Sequence, residues 1–285
     1  MTRRVAALAC ALLLVTAGCA GIGGSDDQPT TAPTQTTAET TEATTTETAE
    51  QLAPGVTADG VEDPRALADA HRDALEGDAF VRRAGTRLTN ESTTRTRNTT
   101  QQFTTDSLWR STVSGEGVPV AFSVTNGSYD LYADGERVLW QRENDTAGNT
   151  SYGVISVTIR GDEQPVPPNQ VFENNNFQRF YGHSLVYSLV ANADSVEAVD
   201  DKAAAVGLSG TASELPTLFD RTGDVEFTMT VTAEGRATAI DLLYRSGDAT
   251  VERTITFDTD VVNPVEEPDW YETALNETVA NESAE

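Results

Sequence analysis

Residues 224–258, DVEFTMTVTAEGRATAIDLLYRSGDATVERTITFD, read as three strands joined by two tight turns. Val225, Phe227, Met229 and Val231 alternate with Glu226, Thr228, Thr230 and Thr232, so one face is apolar and the other polar. Glu234-Gly235 turns the chain into RATAIDLLYRS, where Ile240, Leu242 and Tyr244 share a face. Ser246-Gly247-Asp248 turns it again into ATVERTITFD. One-sided strands joined this way form an antiparallel sheet with one wet face and one face on the core.

Working back from that meander, Asn192 to Thr211 reads as a strand pair broken near Asp200-Asp201, and SELPTLFD as a short helix. Before it a helix is expected over about 171 to 192, because Phe177, Phe180, Tyr181, Ser184, Leu185, Ser188 and Leu189 recur at three- and four-residue spacing. Earlier still, FVRRAGTRLT and TTRTRNTTQQFT are polar strands rich in β-branched residues, followed by SLWRSTV and VPVAFSV. The last of these puts Val118, Val120, Phe122 and Val124 on one face. LYADGERVLWQ carries the Asp134-Gly135 hairpin signal, residues 144–150 read as a loop, and SYGVISVTI returns as a strand. The fold opens on a helix start: Asp63 can cap, Pro64 suits the first position, and Gly77 stands where the helix stops. Leu67, Ala70, His71, Ala74 and Leu75 give it one packing face.

The flanks have another character. MTRRVAALACALLLVTAGC holds a short basic stretch, an apolar run from Val5 to Val15, and small residues leading to Cys19. That run is well short of the roughly 20 residues a transmembrane helix needs, so residues 1–18 read as an export signal. The Ala-Gly-Cys ending resembles the lipobox of bacterial and archaeal lipoproteins, and Arg3-Arg4 resembles a twin-arginine signal. The resemblance implies cleavage before Cys19 and its lipidation, which places the protein on the extracellular face of the cell membrane. Residues 19–58 are dominated by Thr, Glu, Ala and Pro; they cannot bury enough apolar surface to order themselves and are expected to form a flexible spacer. The folded domain is expected over 59–272, with a polar tail over 273–285.

Acidic residues number 45 against 19 basic ones, for a net charge of −26. Such a charge repels nucleic acid. The dense carboxylates and a single lysine, Lys202, resemble the composition of haloarchaeal proteins. Seven Asn-x-Ser/Thr sequons, at Asn90, Asn98, Asn126, Asn144, Asn149, Asn276 and Asn281, are candidates for glycosylation in an exported chain. Cys10 leaves with the signal and Cys19 is committed to lipid, so no disulfide or cysteine metal site is expected. Catalytic signatures are missing: there is no GxSxG, no HExxH and no phosphate loop, and Gly182-His183-Ser184 places neighbours that point apart on a helix. DTDVVNPVEEPD has Asn263 where a calcium loop needs glycine and Val262 where a ligand belongs. A non-enzymatic protein without metal or cofactor is expected.

The element order and the closing strands, EFTMTVTAEGRATAIDLLY and TITFDTDVVNPVEEPDW, resemble the LolA-like and LppX/LprG-like lipoproteins over about residues 60 to 272. That resemblance implies an α+β fold, a strongly curved antiparallel β half-barrel covered by helices over an apolar cavity, and binding of a lipid-like ligand. The lining candidates are Phe122, Val124, Phe177, Phe180, Tyr181, Leu185, Phe227, Met229, Ile240 and Leu242. The same residues also suit a fully packed core. An envelope protein that works through its surface, contacting other cell-envelope proteins, is therefore the alternative expectation.

Overall fold

The computed structural model describes residues 50–116, 126–159, 162–170, 182–200, 205–212, 222–260 and 264–282. Three short strands, β1 (Gln51–Ala53), β2 (Val56–Thr57) and β3 (Gly60–Val61), form a small antiparallel sheet. Helix α1 follows over Pro64–Asp73. The strands of the main sheet come next: β4 (Phe80–Thr89), β5 (Thr94–Phe103), β6 (Leu108–Glu116), β7 (Gly127–Asp134), β8 (Val138–Asn144) and β9 (Asn149–Val154). A separate hairpin pairs β10 (Ser156–Ile159) with β11 (Asp162–Pro165). Helix α2 spans His183–Val190, and β12 (Ala193–Asp200), β13 (Ala205–Ala212), β14 (Thr222–Thr232), β15 (Ala237–Ser246) and β16 (Ala249–Asp258) complete the sheet before helix α3, Tyr271–Glu282.

The eleven strands pair in the order β12-β13-β14-β15-β16-β4-β5-β6-β7-β8-β9, antiparallel throughout. The meander that decides the fold is therefore present as read. Its last strand, β16, pairs β4, which joins the C-terminal half of the sheet to the N-terminal half. The architecture is a mostly antiparallel sheet with few helices; the sheet is open at β12 and β9, neither closed nor strongly curled.

Helix α1 starts where the sequence places it. The Asp63 carboxylate accepts from the N–H groups of Arg65 and Ala66, both at 3.0 Å, and Pro64 fills the first turn. Leu67, Ala68 and His71 are its buried residues. Helix α2 starts at Gly182, whose φ of 72° and seat above the Phe257 ring suit glycine: a Cβ would lie 3.1 Å from Phe257 Cζ. The expected helix over 171–192 is present as His183–Val190; Phe177, Phe180 and Tyr181 lie outside the described residues. The short helix expected at SELPTLFD and the strand at VPVAFSV, with Phe122 and Val124, also fall outside them.

Both α1 and α2 pack on one face of the sheet, here called the inner face. Leu67, Ala68, Leu185, Val186 and Leu189 join Leu208, Phe227, Met229, Ile240 and Ile255 in the main core. Burying each such side chain contributes about 1.5–3 kcal/mol. The β14–β15 turn presses on α1, since a Cβ on Gly235 would come within 2.7 Å of the Ala70 Cβ. On the outer face of β7 and β8, Val265, Trp270 and Ala274 pack against Tyr132 and Leu139 in a second cluster.

Three expectations are corrected. The residues read as a tail after 272 are helical through Glu282, because Trp270 and Ala274 have an apolar seat on the sheet. The stretch 144–150 is a hairpin between β8 and β9 rather than a longer loop, with Asn144 paired to Asn149. The β7–β8 turn is centred one residue later than Asp134-Gly135: Asp134 accepts from Glu136 and Arg137 N–H at 2.8 Å each, and Gly135 takes φ 100°.

Candidate functional site

Strand register arranges the inner face in rows that cross the sheet. One row runs through ten strands: Leu208, Met229, Ile240, Ile255, Ala84, Thr99, Val113, Tyr129, Arg142 and Ser151. The row above it reads Phe227, Leu242, Arg253, Thr86, Arg97, Gly115, Gly127, Asn144 and Asn149. The row below reads Phe257, Arg82, Gln101, Ser111, Leu131, Trp140 and Gly153. The rows change character on passing from the meander into the N-terminal strands. The first two are aliphatic or aromatic core on the meander side, and Ile255 and Phe257 on β16 are core as well; beyond them the three rows together carry arginines, small residues and large aromatics.

No Asp or Glu occupies any of these three rows among the described residues, in a chain with 45 of them. The carboxylates of β7, β8, β15 and β16 sit at the alternate, outer positions. There they meet outer arginines, as in Arg83–Asp258 at 3.8 Å, Arg87–Glu252 at 3.7 Å and Arg110–Asp130 at 2.6 Å. Tandem Arg82-Arg83 is split by the pleat, one side chain to each face.

Arg82 is 7% exposed, its guanidinium 5.9 Å above the Phe257 ring and donating to Gln101 Oε1 at 2.7 Å. Gln101 in turn donates to Ser111 Oγ at 3.4 Å, so three neighbours in one row form a polar chain across β4, β5 and β6. Burial, and then the charge of Arg253, pull the Arg82 guanidinium down to about 9. Arg253 is lowered by burial, with Arg97 acting in the same direction and Tyr244 against it. Arg110 on the outer face moves the other way, raised by its bond to Asp130. Burial thus dominates at the two inner arginines, and the carboxylate partner at Arg110.

Beyond the arginines lies an aromatic patch. Tyr129 and Trp140 stand 6.2 Å apart between ring centroids, beside Val113 and Leu131. Trp140 lies directly on Gly153, where a Cβ would meet the indole at 2.6 Å. Arg142 Nε donates to Ser151 Oγ at 3.2 Å at the edge of this patch. Burial raises the Tyr129 hydroxyl.

Of the ten lining candidates, Leu185, Phe227, Met229, Ile240 and Leu242 are all core residues, 7, 3, 2, 0 and 3% exposed. The other five, Phe122, Val124, Phe177, Phe180 and Tyr181, lie outside the described residues, as does Cys19. Among the sequons, Asn98, Asn149 and Asn276 are exposed, while Asn90, Asn126 and Asn144 are half-buried; the Asn281 side chain is not described. Asn90 Oδ1 accepts from the N–H groups of Ser92 and Thr93 and so shapes the β4–β5 turn. His71, on α1, is buried, and its ring meets the Phe257 ring that Arg82 covers from the basic band; His183 Nε2 lies 2.9 Å from Asp69 Oδ1.

The basic band was missed in the sequence, though a signal was there. Residues 79–105 carry five arginines and one acidic residue, Glu91, against the trend of the whole chain.

No protein-family profile and no curated protein matches the chain. Solved structures do resemble it. The Mycobacterium tuberculosis lipoprotein LppX aligns at TM-score 0.33 and 10% identity, over 71% of this chain and 98% of that one. A DUF1329 family protein from Desulfovibrio piger aligns at 0.31 and 9%, over 74% and 97%. A putative outer membrane lipoprotein-sorting protein domain from Vibrio parahaemolyticus aligns at 0.27 and 10%, over 73% and 96%. At TM-scores of this size the likeness carries no inference about what the chain binds.

Proposed function

We propose that this chain is a lipid-anchored binding module of the cell envelope, which holds an amphiphilic, lipid-like ligand against the inner face of its sheet. The observation that carries the reading is the change along each row. The apolar core does not stop at a polar rim; it runs into a band of buried and half-buried aromatic, small, polar and basic side chains on β16 and β4 to β9. A ligand with an apolar body and a polar end matches such a gradient, since each part meets surface of its own kind. The anchor is inferred from the lipobox-like ending at Cys19 and the spacer after it. Two lipid chains on such a cysteine would give a stable anchor, where one chain would not.

The test is gentle detergent extraction of the full chain, native mass spectrometry of what comes with it, and titration with a fluorescent phospholipid. Co-purified amphiphile and saturable uptake are expected. Empty protein that takes up no lipid would overturn the reading. It would favour instead an envelope interaction protein with a closed core, for which the 0–7% exposure of the five described lining candidates speaks. Crosslinking to surface-layer proteins would then be its signature.

A further inference from the structure

We infer that Asn90 carries an N-linked glycan, and that the first sugar lies in a groove between the β4–β5 and β15–β16 turns. The sequon Asn90-Glu91-Ser92 occupies the turn between β4 and β5, outside both strands, and Glu91, Ser92 and Thr93 are exposed. Asn90 Oδ1 accepts from the N–H groups of Ser92 at 3.2 Å and Thr93 at 2.9 Å. It also accepts from Ser92 Oγ at 3.3 Å and Thr93 Oγ1 at 3.0 Å. Among the described residues, the bonds of this carboxamide all fall on Oδ1. Oδ1 and Nδ2 point apart from the same carbon, so fixing the oxygen in the turn aims the nitrogen out of it. The sequon hydroxyl already rests on the amide to be modified.

The groove is a consequence of long-range pairing. Thr250 of β16 stands opposite Thr89 of β4, so the two turns lie side by side. Between them is a groove of about 240 Å³, lined by Asn90 with Leu88, Thr93, Arg95, Ser246, Asp248 and Ala249. Pockets for drug-sized ligands run to roughly 300–1,000 Å³, so this one suits a single ring. Leu88 and Ala249 offer apolar surface to the C–H face of a sugar, and the four polar side chains offer partners to its hydroxyls. Arg245 Nη2 donates to the Asp248 carbonyl at 3.0 Å and fixes the far turn.

The other described sequons are tied into regular structure. Asn98 stands within β5, between Gly85 of β4 and Ser114 of β6. Asn144 and Asn149 face each other across the β8–β9 hairpin, and Ser151 Oγ accepts from Arg142. The sequon at Asn126 gives its Ser128 hydroxyl to Glu143 at 2.8 Å, and Asn276 stands inside α3. A transferase that grips the backbone on both sides of its asparagine must open a ladder or a helix at those places. At Asn90 it has one turn bond to open, Asn90 N–H to Thr93 O. Arg3-Arg4 resembles a signal that exports folded chains, so the enzyme meets the finished sheet. The transfer takes a lipid-linked sugar phosphate as donor. The bond from Asn90 Nδ2 to the anomeric carbon forms and the bond from that carbon to the phosphate oxygen breaks. The lipid phosphate leaves with the electron pair, and one amide proton passes to a base of the transferase.

The experiment expresses the full chain, with its own signal, in a haloarchaeal host whose glycosylated surface-layer protein is the control. Occupancy is read by mass spectrometry on chain that protease reaches from outside intact cells. Trypsin cuts after Arg87, Arg95 and Arg97, which puts Asn90 and Asn98 on separate peptides. The peptide Leu88–Arg95 is expected to carry glycan at least about tenfold more often than the Asn98 peptide, the ratio that about 1.4 kcal/mol of strand opening gives. S92A should abolish the modification and S92T should keep it. Thr93 and the two N–H groups still hold the turn in S92A, so its circular dichroism should be unchanged. Hydrogen exchange at Ser246–Ala249 should be slower in glycosylated wild type than in S92A. Bare Asn90 on outer-face chain, with the control glycosylated, would overturn the site. Equal occupancy of Asn90 and Asn98 would overturn its selection by the fold. Equal exchange at Ser246–Ala249 in the two proteins would overturn the seating of the sugar.

Discussion

His71 shows how one side chain ties distant parts of the chain together. It is fully buried, its Nδ1 accepts from the Ala237 N–H at 3.1 Å, and its ring meets Phe257 edge-on at 4.8 Å. Acceptance at Nδ1 places the proton of the neutral ring on Nε2. His71→Phe keeps a ring but removes the acceptor, leaving the Ala237 N–H buried without it. The variant should lose about 1–3 kcal/mol in urea unfolding with an unchanged slope; no loss would show that the bond is dispensable. The other histidine gives a pH effect. The hydrogen bond to His183 holds the Asp69 carboxyl below its ordinary 3.8, with Arg72 and Arg65 acting in the same sense. A depressed carboxylate contributes stability that is present above its unfolded value and lost as pH falls through the folded one. Stability should therefore decline below pH 3.8, and His183→Ala should make that decline shallower in chemical denaturation at stepped pH. An equally steep decline in the variant would contradict the assignment. At this scale the sequence was only partly legible. Helical spacing put His71 on the packing face of α1, but its partners lie more than a hundred residues away, and no local pattern names them.

Among the elements, those read correctly carry their fold information locally. Strands β14 to β16 alternate cleanly because one face is buried and the other is wet, and glycines at the turns mark where each ends. Strands β4 and β5 were read as strands, yet which of Arg82 and Arg83 faces inward depends on pairing with β16, the last strand in the sequence. A one-residue slip of register would exchange the two faces, so the inner basic band exists only once that long-range pairing is made. Helix α3 was hidden for a related reason. ETALNETVANE is weakly amphipathic and polar on its own; it is helical against β8 and β9, where Trp270 and Ala274 find apolar partners. Trp270 Nε1 donates to Asp130 at 2.9 Å, and the Tyr271 hydroxyl donates to Asp134 at 3.0 Å. Trp270→Phe keeps most of the burial and removes one donor to a buried carboxylate. It should cost about 1.5–3 kcal/mol and speed hydrogen exchange in α3 before the rest of the sheet. Uniform destabilisation would mean that α3 does not open separately.

For the whole molecule, the sheet has two chemically distinct faces and one of them has two halves. The outer face carries the paired charges expected of an acidic surface, and the C-terminal helix. The inner face is a closed apolar core under α1 and α2 and a basic, aromatic band across β4 to β9. The proposed lipid anchor rests on nineteen residues alone, because export signals are linear. The proposed ligand surface has no such linear signal, because it is assembled from alternate residues of many strands. The central claim, that this band is where an amphiphile lies, is tested most directly by photo-crosslinking. A lipid with a photoactivatable group near its head should label peptides containing Thr86–Arg97, Val113 and Tyr129–Arg142 in the folded protein, with labelling competed by unmodified phosphatidylglycerol. Labelling confined to α3 and the outer face, or labelling that competitor does not reduce, would contradict it.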